Sequence, residues 1–358
     1  MRCERCCTPA RGAALRAASP HRDEFATRHD DAAGDIARQV SVAQVRYEKR
    51  RTGVCGGEAQ MPLYPRMGNR LAPPLAARLT AVVLALSSGC ISTPGIDTSA
   101  MSFSHEPLVG KVVWNDLVTQ DLDVARRFYG ELFGWTFEQS TAPGGEPYLL
   151  ARSGGVFVAG MVAITSPSKN VVLSRWLPYV SVNDVDASVA KATAGGATVL
   201  VGARDVSLGR VAVIEDKESA VLGLARSRIG DPDDTTTAPG AGRVVWTELL
   251  ANDPAAASQF YQTVLGVTTH TIERHGGPYT LLSERTTDRA GILKNPADDA
   301  EPVWLTYFGV EDPVSAAARV EALGGKVILP PSPQLRDGTM AVVTDPTGAL
   351  FALQKVRS

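Results

Sequence analysis

The chain contains an internal repeat, and this repeat limits the fold more than any other feature of the sequence. Segment 110–117, Gly-Lys-Val-Val-Trp-Asn-Asp-Leu, recurs at 242–249 as Gly-Arg-Val-Val-Trp-Thr-Glu-Leu, an offset of 132 residues. A later block, 176–184, recurs at 304–312. Self-similarity of this kind indicates a duplicated structural unit, so the fold is predicted to contain two copies of one domain.

Each copy divides again into two similar halves. In the first copy, the β-rich runs 112–118 and 177–182 are each followed by an aspartate, Asp121 or Asp184, and then by a helical pattern. We predict that each aspartate caps its helix by accepting hydrogen bonds from free amides. Gly-Gly pairs mark the predicted helix ends, and further strands follow. The pattern predicts four βαβββ modules, near 111–163, 176–226, 243–294 and 303–355.

Three motifs in these modules together form a family signature. They are Trp-x-Asp/Glu-Leu on the first strand, Phe128-Tyr129-x-x-Leu132-Phe-Gly134-Trp135 on the first helix, and Asp345-Pro-Thr-Gly348 before the last strand. The chain thereby resembles the vicinal-oxygen-chelate superfamily of glyoxalases, bleomycin-resistance proteins and extradiol dioxygenases. It is most similar to the two-domain glyoxalase-like "hydroxylase" or antigen type found in actinobacteria.

The resemblance implies an α+β fold of two tandem domains, 110–228 and 242–356, joined by a linker at 229–241. In each domain, two βαβββ modules would form a cleft. The first copy departs from the family at its last turn, where Asp216-Lys-Glu-Ser replaces Asp-Pro-x-Gly. We therefore expect that turn to differ in shape.

The resemblance also implies where the metal ligands of the superfamily would lie. They are His or Gln seven residues before each helix-capping Asp, and Glu seven residues after the Asp of the last turn. In this chain those positions hold apolar residues or glycine, namely Trp114, Leu177, Trp246, Leu305, Gly223 and Ala352. Zinc, iron and nickel sites need imidazole, thiolate or carboxylate ligands. We therefore expect no metal and no cofactor at the superfamily position.

Two histidines, His270 and His275, lie outside those positions in a Gly-rich hairpin. They could bind a metal if the hairpin brought them together, but a solvated turn is the favoured interpretation. The sequence contains no dinucleotide-binding or Walker motif, no His-Glu-x-x-His and no Gly-x-Ser-x-Gly. Nucleotide cofactors and serine hydrolysis therefore have no support.

Strand alternation places a tryptophan and a carboxylate together in each cleft. Residues two apart on a strand share a face, so Trp114 lies beside Asp116, and Trp246 lies beside Glu248. Desolvation by the indole would disfavour the ionised carboxylate, which could then act as a general acid or base. The alternative is that each carboxylate pairs with an arginine or caps an amide while the tryptophans fill core.

Tyrosines are the other candidate binding residues. If the Leu positions face the cleft, so do the tyrosines two residues later, because strand side chains alternate. Phenolic hydroxyls there could bind a ligand. The candidates on these strands and on the strands adjacent to them are Tyr148, Tyr179, Tyr279 and Tyr307. Phe128 and Tyr129, at helical core spacing, are assigned to packing.

These residues leave three functions open. The first is metal-independent binding of a small-molecule ligand in an aromatic-lined cleft. The second is a lyase or hydroxylase-like enzyme with Asp116 or Glu248 as general base. The third is a surface protein-interaction module. A formal net charge of −2 provides no field to attract phosphate backbones, so no nucleic-acid partner is expected. The predicted oligomeric state is monomer or homodimer.

The region before the repeats resembles a lipoprotein precursor. Residues 1–66 show no structural period and are interpreted as a disordered leader or a wrongly assigned start. Residues 67–90 combine arginines, the apolar run 79–86 and Cys90, in signal-peptide order. Cys90 would be lipidated, and 91–109 would be a Ser/Thr/Pro-rich tether. The predicted location is the cell envelope, with a lipid anchor in the membrane; translation from Met101 would instead leave the protein in the cytoplasm.

Overall fold

The computed structural model describes residues 101–142, 146–164, 172–234, 240–274, 277–296, 300–333 and 336–356. The predicted leader, the signal segment with Cys90, the first part of the tether and His275 lie outside the described residues. Among the residues described, no helix is both long and apolar enough to span a bilayer.

The first domain consists of two βαβββ modules in sequence. Its first module contains β1 (Val112–Thr119), α1 (Leu122–Phe133), β2 (Thr136–Thr141), β3 (Pro147–Ser153) and β4 (Val156–Ala163). Its second module contains β5 (Arg175–Ser181), α2 (Val185–Ala194), β6 (Thr198–Val206), β7 (Gly209–Glu215) and β8 (Val221–Ser227).

The second domain repeats this order. Its first module contains β9 (Val244–Ala251), α3 (Pro254–Leu265), β10 (Thr268–Arg274), β11 (Gly277–Glu284) and β12 (Thr287–Lys294). Its second module contains β13 (Val303–Val310), α4 (Pro313–Ala322), β14 (Lys326–Leu329), β15 (Met340–Thr344) and β16 (Leu350–Lys355). The predicted α+β fold of two tandem domains is confirmed.

Each helix begins where its aspartate caps it. Asp121 accepts a hydrogen bond from the amide of Val124, and Asp184 accepts one from the amide of Ala187. Asp253 and Asp312 do the same in the second domain. The capping prediction is therefore confirmed, since these carboxylates satisfy amides that have no partner within the helix.

The two modules of a domain join into one eight-stranded sheet. The strand order is β2-β3-β4-β1-β5-β8-β7-β6 in the first domain and β10-β11-β12-β9-β13-β16-β15-β14 in the second. The modules meet where β1 pairs antiparallel with β5, and β9 with β13. We call the side of each sheet that carries no helix its open face. The centre of the open face is therefore formed by the first strands of both modules.

The helix-covered faces of the two domains pack against each other. One buried cluster joins Val182 and Leu222 of the first domain to Leu249 and Tyr261 of the second. Another cluster joins the first module of the chain to the last and includes Phe308. Burial of apolar surface from both domains in shared clusters stabilises their association, which a flexible linker alone would not do.

Hydrogen bonds that cross between the domains reinforce this packing. The hydroxyl of Tyr129 donates to Asp345 Oδ2 of the second domain at 3.1 Å, and within the first domain it accepts from the indole of Trp176 at 3.0 Å. The hydroxyl of Tyr261 donates to Asp216 Oδ2 at 2.8 Å in the corresponding place. Tyr129 was assigned to packing from its helical spacing; the structure adds a polar contact with the other domain.

The last turn of the first copy keeps the shape of its counterpart, so the expected difference is wrong. Asp216 Oδ1 accepts from the amides of Glu218 and Ala220, each at 2.9 Å. Asp345 accepts from equivalent amides in the second copy. Ser219 adopts φ 74°, the left-handed region that Gly348 occupies at φ 98°. The aspartate therefore imposes the turn although no glycine is present.

The start of the predicted linker is packed against the first domain. Asp231 is fully buried, and its Oδ2 accepts hydrogen bonds from the amide of Leu108 at 2.7 Å and from the hydroxyl of Ser181 at 2.5 Å. Asp234 forms salt bridges with Lys111 and with Arg289 of the second domain. The end of the tether and the start of the linker are thus held together by polar contacts that composition does not reveal.

Candidate functional site

The open face of the first domain carries four of the predicted site residues in contact with one another. Strand register places Trp114 opposite Tyr179 and places Asp116 beside Gly160. Tyr148 reaches the same point from β3, the strand beyond β4. We call this group the first-domain cluster: Trp114, Asp116, Tyr148 and Tyr179.

Short hydrogen bonds to the carboxylate hold the first-domain cluster together. The hydroxyl of Tyr148 donates to Asp116 Oδ1 at 2.6 Å. The indole of Trp114 donates to the same oxygen at 2.8 Å and to the tyrosine hydroxyl at 3.0 Å. The hydroxyl of Tyr179 also acts on the carboxyl, and it lowers the pKa of Asp116 less than Tyr148 and Trp114 do. All four residues are half-buried, whereas Glu248, Tyr279 and Tyr307 of the second domain are buried.

Burial raises the pKa of Asp116 above its usual range, although the hydrogen bonds from Tyr148, Trp114 and Tyr179 oppose the shift. Desolvation penalises the charged form of an acid, and neutral donors offset only part of that penalty. The pKa values of Tyr148 and Tyr179 are raised well above their usual range by burial and by the nearby carboxylate. The expected effect of desolvation on the cleft carboxylate is therefore found at Asp116.

Glycine at the neighbouring position makes room for this arrangement. A Cβ atom on Gly160 would lie 1.7 Å from the Tyr148 hydroxyl oxygen and 2.2 Å from Asp116 Oδ1. The same holds in the second domain, where a Cβ on Gly291 would lie 1.8 Å from the Tyr279 hydroxyl. A side chain in place of either glycine would therefore clash with the tyrosine hydroxyl.

The second domain builds the same constellation around Glu248. The hydroxyl of Tyr279 donates to Glu248 Oε1 at 2.6 Å, and that of Tyr307 donates to Oε2 at 2.5 Å. The indole of Trp246 donates to Glu248 Oε1 at 3.2 Å and to the Tyr279 hydroxyl at 2.9 Å. We call this group the second-domain cluster: Trp246, Glu248, Tyr279 and Tyr307.

An arginine closes the second-domain cluster. Arg336 Nη2 donates to Glu248 Oε1 at 2.7 Å, and the two side chains are only 7% and 1% exposed. The Arg336 guanidinium carbon lies 5.1 Å from the centre of the Tyr307 ring. A second arginine, Arg274, lies 3.5 Å above the ring of Tyr279. The carboxylate is therefore neutralised within the domain.

The pKa of Glu248 consequently shifts in the opposite direction to that of Asp116. Burial raises the pKa of Glu248, but the charge of Arg336 and the hydrogen bonds from Tyr279 and Tyr307 outweigh burial and bring it below its usual value. A lowered pKa makes Glu248 poorly suited to proton transfer. The geometry matches the alternative interpretation, in which the carboxylate pairs with an arginine. No sequence signal identified Arg336, which comes from a loop after β14.

The superfamily metal positions lie beside these clusters, and none of them holds an imidazole, thiolate or carboxylate. Trp114 and Gly223 flank Tyr179 on β1 and β8, and Leu177 pairs with Asp116. Trp246, Tyr307 and Ala352 correspond to them in the second domain. Within the described ranges, no group of three or more His, Cys, Asp or Glu side chains could hold an ion. One carboxylate surrounded by indole and phenol is not a donor set for a divalent cation.

His270 lies within β10 rather than in a turn, paired with Leu281. Its Nδ1 lies 3.2 Å from the hydroxyl of Ser283, which donates to Asp288 at 2.6 Å. His270 is half exposed, and its contacts are with Ser283 and Asp288 rather than with the residues of either cluster. The structure therefore gives it no role in either cluster.

Fold and clusters together define a tandem protein of the vicinal-oxygen-chelate type. The sequence matches the family model described as "Glyoxalase/Bleomycin resistance protein/Dioxygenase superfamily" over residues 111–234 and 243–353. The chain belongs to this superfamily.

Named relatives share most of their length with this chain. The "Putative glyoxylase CFP32" of Mycobacterium bovis is 34% identical over 247 residues, which cover 68% of this chain and 93% of that protein. The "Anthracycline biosynthesis protein DauV" of Streptomyces sp. strain C5 is 30% identical over 261 residues, covering 69% and 94%.

A solved structure with the same fold is the Mn(II)-bound glyoxalase from Novosphingobium aromaticivorans. The TM-score is 0.50 and the sequence identity 14%, and the match covers 70% of this chain and 84% of that one. At this identity the likeness concerns the fold.

Proposed function

We propose that this protein binds a small organic molecule without a metal ion, on the open face of its first domain. The observation that carries the proposal is the difference in exposure between two matched clusters. The first-domain cluster is half-buried and has no arginine against its carboxylate among the described residues, whereas Glu248, Tyr279 and Tyr307 are buried beneath Arg336. Among the described residues, the first-domain cluster is therefore the one whose carboxylate has no arginine bonded to it and whose tyrosines and carboxylate are not fully buried.

The chemistry of the first-domain cluster fits a ligand with an apolar body. The half-buried indole of Trp114 offers apolar surface, while Asp116 and the phenol of Tyr148 provide directed polar contacts. Small-molecule sites usually combine these features, a mostly apolar wall with a few fixed polar groups. Two relatives are named a putative glyoxylase and a protein of anthracycline biosynthesis, and both names fit a small-molecule ligand.

A thermal-shift screen of small aromatic compounds tests the proposal, because a ligand that binds only the folded state raises the unfolding temperature. Compounds that stabilise the wild-type protein should lose their effect in Trp114→Ala and keep it in Trp246→Ala, the matched change in the second domain. Ligands whose effect is the same in both variants would defeat the proposal.

Catalysis is the second candidate function, and the raised pKa of Asp116 favours it. Burial raises the pKa of this carboxyl, and a carboxyl group with a raised pKa is better suited to exchange a proton with a bound substrate. Asp116, rather than Glu248, would be the acid or base, since Glu248 is held ionised by Arg336. Asp116→Asn should abolish turnover of any substrate found in the screen while the unfolding temperature stays within a few degrees. Undiminished turnover in Asp116→Asn would eliminate this candidate.

We also propose that the protein is anchored in the cell envelope through a lipid on Cys90. The support is the order of Arg70, Arg78, the apolar run 79–86 and Cys90 in the sequence. Two acyl chains would bind a membrane firmly, at about 0.8 kcal/mol per buried CH₂. Mass spectrometry of the protein from its host should find a lipidated N-terminal cysteine, which Cys90→Ala abolishes. An unmodified chain that begins at Met1 or Met101 would contradict the anchor.

A further inference from the structure

The second domain shows which group its cluster accepts. There the guanidinium of Arg336 bonds to Glu248 at 2.7 Å and lies 5.1 Å from the centre of the Tyr307 ring, and Tyr279 and Trp246 donate hydrogen bonds to the same carboxylate. A guanidinium combines a charge-assisted hydrogen bond to a carboxylate with a cation–π contact to an aromatic ring. The second-domain cluster is therefore a cation site that the chain fills itself.

The first domain has the same kinds of group, and in the part of the chain that the structure describes no arginine forms a salt bridge with its carboxylate. Trp114 and Asp116 match Trp246 and Glu248 at the 132-residue offset, and both tyrosines have counterparts on equivalent strands. Among the described residues, the groups that lower the pKa of Asp116 are the neutral donors Tyr148, Trp114 and Tyr179. The charge of Arg204 acts to lower the pKa of Tyr179, but Arg204 is not among the groups that shift the pKa of Asp116.

The two domains differ because their last hairpins differ. In the second domain β14 ends at Leu329, and Arg336 and Asp337 both adopt left-handed backbone angles, φ 47° and 53°, in the loop that follows. In the first domain β6 continues to Val206, which pairs directly with Gly209, and the equivalent residue, Ser207, is exposed. Left-handed angles are costly for residues other than glycine, and the hydrogen bonds of Arg336 with Glu248, Gln354 and Thr339 offset that cost.

We propose that the first-domain cluster binds an organic cation, a guanidinium or ammonium group on an apolar body, against Asp116 and the ring of Tyr179. This inference rests on the proposed function and names the ligand class of that same site. An anion is disfavoured because it would face a carboxylate and phenol oxygens. A metal ion is disfavoured because one carboxylate supplies too few ligands. An organic cation needs only one carboxylate and a ring face, and both are present.

Isothermal titration of the full chain with isosteric probes tests the ligand class. Benzamidine is the cationic probe, benzamide the neutral isostere and benzoate the anion. We expect benzamidine to bind about 10- to 100-fold more tightly than benzamide, as a charge-assisted hydrogen bond should provide. Asp116→Asn should remove that preference, and Glu321→Gln, which changes an exposed acid on α4, should leave it intact.

The outcomes separate this inference from the proposed function. If benzamide binds as tightly as benzamidine, and both are lost in Trp114→Ala, the cation assignment fails and the proposed function stands. If no probe depends on Trp114 or Asp116, both fail.

A second experiment tests the chemistry of the second-domain cluster independently. Removing the guanidinium with Arg336→Ala leaves Glu248 without its cation. Millimolar methylguanidine should then raise the unfolding temperature of this variant by a few degrees, while methylurea, its neutral isostere, should not. Equal effects of the two compounds on Arg336→Ala, or equal effects of methylguanidine on the variant and the wild type, would overturn the assignment of a cation site. If Arg336→Ala does not fold, Arg336→Gln serves in its place.

Discussion

Replacing Arg336 by methionine should be among the most damaging single changes in the second domain. The substitution leaves the carboxylate of Glu248, which is 1% exposed, without its cation. Removing one partner of a buried ion pair costs about 3–5 kcal/mol, because the remaining charge stays desolvated. For a folded region of this size, that corresponds to a fall of roughly 6–20 °C in unfolding temperature.

The loss should depend on pH. In the wild-type protein the pKa of Glu248 is lowered on folding, so its contribution to stability is present above the unfolded pKa and disappears as pH falls through the folded pKa. In Arg336→Met, burial without the arginine should raise the pKa of Glu248, so the folded state binds a proton more tightly than the unfolded state. Stability of the variant should then fall as pH rises, and its deficit should be larger at pH 7 than at pH 4.5.

Urea denaturation at those two pH values measures the effect, with Arg336→Met/Glu248→Gln as the matched control. The double variant has no unpaired buried charge, so it should recover most of the lost free energy of unfolding at pH 7. A loss in the free energy of unfolding of less than about 1 kcal/mol, equal at both pH values, would refute the assignment of Arg336 and Glu248 as a buried ion pair.

Three further predictions concern the architecture. Tyr129→Phe removes the hydroxyl that bonds to Asp345 across the domains and should cost about 1–3 kcal/mol by urea denaturation; an unchanged value would mean that apolar packing alone joins the domains. Ser219→Gly should stabilise by about 0.5–1 kcal/mol, because φ 74° suits glycine, and a loss of stability would show that the serine side chain matters. Gly160→Ala should cost about 1–3 kcal/mol or more, while Gly202→Ala, with open space around its Cβ position, should cost nothing; equal effects would contradict the close approach at β4.

The sequence predicted the architecture well, because its local signals agree with the fold. The internal repeat, the capping aspartates and strand alternation identified the modules and placed Trp114, Asp116 and Tyr179 on one face. These signals are local, and each depends on spacing along one strand or helix. Because side chains alternate along every strand, alternation predicted which residues of each strand share a face.

The contacts that distinguish the two domains could not be predicted. Arg336 lies 88 residues after Glu248, and its approach depends on a loop with two consecutive left-handed residues. No periodic pattern reports such a conformation. The hydrogen bond between Tyr129 and Asp345, 216 residues apart, likewise depends on how the domains pack. Long-range contacts of this kind are set by tertiary structure rather than by local propensity.

Fluorine NMR of the protein labelled with 5-fluorotryptophan tests the central claim most directly. The chain has five tryptophans, of which Trp114 and Trp246 are half-buried on the open faces, whereas the other three are buried. Single Trp→Phe variants assign the resonances. When a ligand identified by thermal shift is added, the resonance of Trp114 should move or broaden while that of Trp246 stays in place. A saturating ligand that shifts Trp246 and leaves Trp114 unchanged would contradict the assignment of the site to the first domain.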